Sequence, residues 1–129
     1  IAGTPPETEK DRKESLDYVK KLIKNGLDEI AVFIYSPIPG SYFADQIGGF
    51  KHYSELTRSP KWRKDYRVVN SFRIRMYLTF FLYKMIYSPK KIIQEIYRII
   101  TRNFSTKMEM AFFKFFKLRI MHKIPKFFK

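Results

Sequence analysis

The sequence predicts an α/β fold class: a β-α-β portion followed by a mostly α-helical, basic C-terminal tail. Three observations carry this reading. The opening "IAGTPPET" reads as a strand stub leaving through a rigid turn into a capped helix. Ile30 to Ile34 form a continuous apolar run. Charge and aromatic content then change abruptly near residue 60.

The first strand is the stub Ile1-Ala2, and it ends where Gly3 to Pro6 turn the chain. Pro5 and Pro6 lack a backbone donor and fix φ, so neither belongs inside a ladder. Thr8 offers a hydroxyl to the free amides of a helix, with Asp11 three residues on as its capping-box partner. That helix is expected from about Glu9 to Asn25, with Gly26 at C′, where positive φ costs little. Leu16, Val19, Leu22 and Ile23 recur at helical spacing and should cover a sheet. Lys13, Lys20, Lys21 and Lys24 should face water.

The Ile30–Ile34 run carries no alternation, the mark of a strand buried on both faces and so of a parallel sheet. Strand, helix and strand make a right-handed β-α-β unit. Pro37 and Pro39-Gly40 end the second strand at its C-terminal edge, where α/β folds place ligands. Residues 46–69 read as an irregular linker, broken at Gly48-Gly49 and Ser59-Pro60. Residues 70–129 read as a helical tail of three helices. One runs from about Asn70 to Tyr87. One opens at Ser88 with Pro89 at N1 and runs to about Asn103. One opens at Ser105 and ends before Pro125.

Composition narrows the chemistry. The chain has 129 residues and no cysteine, which excludes disulfides, zinc–thiolate sites and a cysteine nucleophile within it. His52 and His122 lie far apart with no carboxylate at ligand spacing, so no metal site is expected. Asp45 and Glu55 read as solvated carboxylates, and no catalytic residue is assigned. Residues 1–59 hold 8 Lys/Arg against 9 Asp/Glu, whereas residues 60–129 hold 18 against 3. Seven aromatics fall in the first part and 16 in the second. A basic, aromatic segment suits an anionic surface. The longest charge-free apolar run there, "MYLTFFLY", has eight residues, and a spanning helix needs about 20.

The paired turns carry a family resemblance. Gly3-Thr4-Pro5-Pro6-Glu7-Thr8 and Ser36-Pro37-Ile38-Pro39-Gly40-Ser41 resemble two strand-end turns of the radical S-adenosylmethionine enzymes, closest to the cobalamin-binding type. Pro6 stands where that family has glycine. The "RIRMYLTFFLYKMIYSPKKIIQEIYR" stretch resembles the family's basic helical tail. The resemblance implies that residues 1–45 are the last β-α-β portion of a partial (β/α) barrel, with the remainder of the barrel as partner. It implies S-adenosylmethionine beside Gly3, Thr4, Pro5 and Glu7, with the Tyr35-Ser36-Pro37 backbone recognising adenine. An iron–sulfur cluster, and cobalamin where the type holds, would be ligated outside this chain. The chain alone would then be inactive.

The tail has its own reading. In "KMEMAFFKFFKLRIMHK", Lys107, Lys114 and Lys117 share one side of a helix and Phe112, Phe115 and Phe116 lie largely opposite. This is the pattern of a helix lying in a headgroup plane. The expected setting is cytoplasmic, peripheral on the inner face of an anionic membrane. RNA binding fits less well, because the phenylalanines come in doublets on a helix and not on a strand platform. The alternative to the enzyme reading is a non-enzymatic basic module that binds anionic lipid or nucleic acid.

Overall fold

A computed structural model of the chain describes residues 1–48, 50–57 and 59–123, with side chains described as far as residue 117. Its elements are α1 (Glu9–Lys24), the short α2 (Ala44–Ile47), a 3-10 turn (Tyr53–Glu55), α3 (Tyr66–Tyr87), α4 (Pro89–Thr101) and α5 (Lys107–Lys123). The chain divides into two compact units, Ile1–Tyr83 and Lys84–Lys129.

The α/β expectation is overturned: the fold is all-α, with no sheet among the described residues. What remains of the β-α-β unit is one parallel bridge between Ala2 and Ile34. The Ala2 N–H donates to the Phe33 carbonyl and the Tyr35 N–H to the Ala2 carbonyl, each at 2.8 Å. Two local features stop the ladder there. Pro5 and Pro6 follow the bridge on one side. On the other, the Val32 N–H is taken by the Tyr77 hydroxyl of α3 at 3.1 Å. The Ile30–Ile34 run is accordingly covered on one face alone. Ile34 is buried and Ile30 and Val32 are half-buried, while Ala31 and Phe33 are exposed. With no barrel strands around it, the assignment of residues 1–45 to a barrel portion does not stand.

The first unit is built on α1 and α3. Thr8 caps α1 as a full capping box: the Asp11 amide donates to Thr8 Oγ1 and the Thr8 amide to Asp11 Oδ2. Gly26 follows the C-cap Asn25 at φ +92°. Leu16 and Val19 of α1 pack with Ile30 and Val32 against a core of Ala2, Ile34, Val69, Phe72 and Met76. Lys20, expected to face water, is half-buried, paired with Asp17 at 2.8 Å and set over the Tyr83 ring. α3 starts four residues earlier than expected, directly after Asp65, whose carbonyl accepts from the Val68 and Val69 amides. The 46–69 stretch is folded with this unit. Phe50 is buried with Tyr53 and Trp62 around it, and Trp62 Nε1 donates to the Glu55 carbonyl.

In the second unit Pro89 opens α4 at N1 behind Ser88, as expected. Arg102 ends it in the left-handed region at φ 58°. Thr106 and Glu109 then cap α5: the Glu109 amide donates to Thr106 Oγ1, and the Thr106 amide donates back to Glu109 Oε2. Phe113 of α5 packs on Phe104 and lies under the Arg102 guanidinium.

Candidate functional site

The bridge sets the two turns singled out in the sequence side by side. A residue outside both, Arg63, fastens them. Its guanidinium donates to the Gly3 carbonyl at 3.0 Å and to the Tyr35 carbonyl, and makes a two-point pair with Asp65 at 2.8 and 2.6 Å. The Arg63 side chain is almost fully buried. The hydrogen bonds and charge of Arg63 hold the Asp65 carboxyl below its ordinary value, against the desolvation that opposes this.

Polar groups of Gly3, Thr4 and Glu7 in the first turn are bonded within the chain. Glu7 Oε2 accepts from the Gly3 amide at 2.8 Å and from Arg12 Nε at 3.1 Å. The Thr4 carbonyl accepts from the Glu7 amide, and the Pro5–Pro6 peptide bond is cis. Gly3 sits at φ +76°, and a Cβ there would lie 2.8 Å from Val69 Cγ1 and 3.1 Å from the Arg63 guanidinium. The missing side chain therefore makes room for the chain's own core. In the second turn, the Tyr35 N–H and carbonyl are both bonded within the chain. Pro37 is buried, and the Ser36 and Ser41 hydroxyl oxygens are buried without a partner among the described residues. An open apolar cleft of about 300 Å³ between α1 and residues 27–32 is lined by Tyr18, Leu22, Leu27, Ile30 and Phe72, and by Ile1 and Ala2 just before the first turn; no residue of either turn lines it.

The fit to the expected cofactors is thus divided. The chain supplies no thiolate for an iron–sulfur cluster. Toward S-adenosylmethionine the first turn is closed on itself, and the Ser36 and Ser41 hydroxyls of the second turn are the groups with hydrogen-bonding capacity to spare. Among the described residues no cluster of three His, Asp or Glu could hold a metal ion. His52 is exposed; the His122 side chain lies outside the described residues.

The second candidate is the surface of the C-terminal unit, whose charge arrangement was not legible in the tail's composition. Residues 84–129 contain twelve Lys/Arg and two carboxylates, Glu95 and Glu109. Both carboxylates are paired with cations of the unit, Glu109 buried and Glu95 partly so. Glu109 is 2% exposed; it accepts from the Ser105 and Thr106 amides and pairs with Arg98 at 2.8 Å. Burial pushes its carboxyl up, but the two amides and the Arg98 guanidinium outweigh that and hold it below its ordinary value. Glu95 pairs with Lys84 at 2.5 Å, and Lys84 is itself 2% exposed.

Outward, the same unit shows cations and apolar side chains. Lys107, Lys114 and Lys117 are exposed, as are Phe115 and Phe116; Phe112 is half-buried. Sequence reasoning missed the stronger apolar face, which is on α4. Its isoleucines at 92, 93, 96, 99 and 100 follow the 3.6-residue period, so the signal was present in "KKIIQEIYRII". No helix among the described residues is long and apolar enough to cross a membrane.

No family model, curated protein or solved structure matches this chain.

Proposed function

We propose that the chain associates with the surface of an anionic lipid bilayer through its C-terminal unit. The observation that carries this is the inversion of that unit. Its buried residues, among those described, are Lys84 and Glu109, while Ile86, Ile93, Ile96, Ile100 and the Phe115-Phe116 pair are exposed. An ordinary water-facing domain does the opposite. With Glu109 buried and Glu95 paired with Lys84, the charged residues of this unit that are exposed, among those described, are cations. Each lysine or arginine near an anionic leaflet contributes about 1 kcal/mol, and exposed apolar side chains add insertion. Anionic lipid is concentrated in the cytoplasmic leaflet, so the inner face of a membrane is the matching surface.

Co-sedimentation tests this. The protein should pellet with phosphatidylserine–phosphatidylcholine vesicles and stay in solution with phosphatidylcholine alone. Salt should weaken the association without abolishing it. Failure to pellet with the anionic vesicles at low salt contradicts the proposal.

A second reading rests on the paired turns. Their resemblance to the radical S-adenosylmethionine enzymes, the Arg63 clasp that joins them, and the unpartnered Ser36 hydroxyl support a place along one edge of an S-adenosylmethionine site. The rest of that site, with its iron–sulfur cluster and any cobalamin, would lie outside this chain. In this reading Tyr35, Ser36 and Pro37 meet the ligand, and Glu7, Thr4 and Gly3 shape the adjoining turn. Adding S-adenosylmethionine should move the amide resonances of residues 35–41 and 3–8 together, and Ser36→Ala should reduce the shifts. Shifts confined to other segments, or none at all, contradict this reading.

A further inference from the structure

The surface that inserts into the bilayer need not be the phenylalanine helix on which the charge pattern first fixes attention. On α4, Ile93, Ile96, Tyr97 and Ile100 are 67, 52, 68 and 73% exposed. At 100° per residue they fall within an arc of about 100°, the i, i+3, i+4, i+7 pattern of a single apolar stripe. Ile92, Glu95, Arg98 and Ile99 occupy another side of the helix and are at least half-buried. α4 therefore meets its own unit with one face and presents a second apolar face outward. Lys90 is exposed and shares the flank of the stripe with Tyr97, seven positions on. By contrast, α5 offers two exposed phenylalanines, Phe115 and Phe116, with Phe112 and Phe113 half-buried.

We infer that α4 lies in the plane of the headgroups and inserts Ile93, Ile96, Tyr97 and Ile100 among the acyl chains of an anionic bilayer. This inference rests on the bilayer reading above and names the element that carries insertion. Charge complementarity selects the occupant. The one carboxylate on α4, Glu95, is held by Lys84, so nothing anionic on this helix opposes a phosphatidylserine surface. A second copy fits badly: two units with twelve cations against two carboxylates repel. A stripe four side chains long also falls short of the about 800 Å² per partner of a stable interface. Nucleic acid fits badly as well, because isoleucines give bases nothing to stack on. Tyr97 suits the boundary, with an apolar ring and a hydroxyl that stays wet.

The absence of native cysteine makes site-specific labelling clean. Single-cysteine variants Ile96→Cys, Ile100→Cys, Phe116→Cys and Gln94→Cys would each carry an environment-sensitive fluorophore. They would be mixed with phosphatidylserine–phosphatidylcholine vesicles that contain spin-labelled lipid. Labels at 96 and 100 should shift to the blue and be quenched by acyl-chain spin labels. The Gln94 label, on a polar side of α4, should remain aqueous. The double variant Ile96→Asn with Ile100→Asn should bind at least tenfold more weakly while keeping its helical circular dichroism. Pelleting with intact affinity but an aqueous label at 96 and 100 overturns this inference and leaves the bilayer reading standing. Loss of pelleting in all variants, the unlabelled chain included, overturns both. A concentration-dependent blue shift without vesicles assigns the stripe to a second copy and overturns the inference.

Discussion

The two units of this chain treat charge and apolar surface in opposite ways. In Ile1–Tyr83 the buried set among the described residues is largely apolar, from Ala2 and Ile34 to Val69 and Phe80, and the buried cation there, Arg63, satisfies backbone carbonyls. Among the described residues of Lys84–Lys129 the buried set is a lysine and a glutamate, and Ile93, Ile96 and Ile100 of α4 face out. Burying a charge costs several kcal/mol unless it is paired, so the second arrangement is not the cheapest way to stabilise two helices. It does pair both side-chain carboxylates of the unit with cations and leave neither among its exposed residues. The first unit is organised for its own interior, and the second for what it touches.

The largest expected effect lies in the first unit. Gly3→Val would force a branched residue to φ +76° and drive its Cβ into Val69 and Arg63. Left-handed strain and overpacking together should cost about 3 kcal/mol. Denaturant unfolding followed by the single tryptophan, Trp62, would measure it. A loss under 1 kcal/mol would mean the turn can open and that the Gly3 site is less tightly packed than described.

Arg63→Met comes next. It leaves the Gly3 and Tyr35 carbonyls without their donor and Asp65 without its partner, at about 2 kcal/mol. Amide exchange should quicken at Ala2 and Tyr35, the two donors of the bridge, while α4 and α5 keep their protection. Quickened exchange in α5 would break the separation between the units.

Glu109→Gln sharpens the comparison from the other side. Its loss should unravel the start of α5 by about 1 kcal/mol, with Trp62 unchanged. The pH dependence has a definite sign. The folded-state value of Glu109 is depressed below 4.5, so its contribution is full above that value and is lost as pH falls through the lowered one. Helicity of the wild-type tail should decline in that acid window, and the Gln variant should show less of the decline. The smallest effect is expected at the exposed Lys10–Glu14 pair, where Lys10→Ala should change stability by no more than about 0.5 kcal/mol.

Local signals were legible in the sequence and long-range ones were not. The Thr8–Asp11 box, Gly26 after α1 and Pro89 at N1 all depend on residues within one turn, and the structure places them as read. The sheet was misjudged because an apolar run specifies burial but not a neighbour. Ile30–Ile34 finds one bridge residue, and Tyr77 takes the next amide. Gly3 was read as room for a ligand, yet the space belongs to Val69, 66 positions away. In the tail, helical spacing set Lys107, Lys114 and Lys117 against Phe112, Phe115 and Phe116; all are exposed except Phe112, which is half-buried. Composition gave no sign that Glu95 and Glu109 are held in ion pairs, since that depends on Lys84 and Arg98 each lying eleven residues from its partner.

The central claim is that location, and not total charge, decides membrane association. Two double reversals lower the net charge equally: Lys114→Glu with Lys117→Glu on α5, and Lys10→Glu with Lys13→Glu on the solvent face of α1. Affinity for phosphatidylserine–phosphatidylcholine vesicles should fall by about a hundredfold or more for the α5 pair, roughly 3 kcal/mol, and by less than threefold for the α1 pair. Equal losses would show that the chain binds as a diffuse polycation, and the inverted C-terminal unit would then have no part in it.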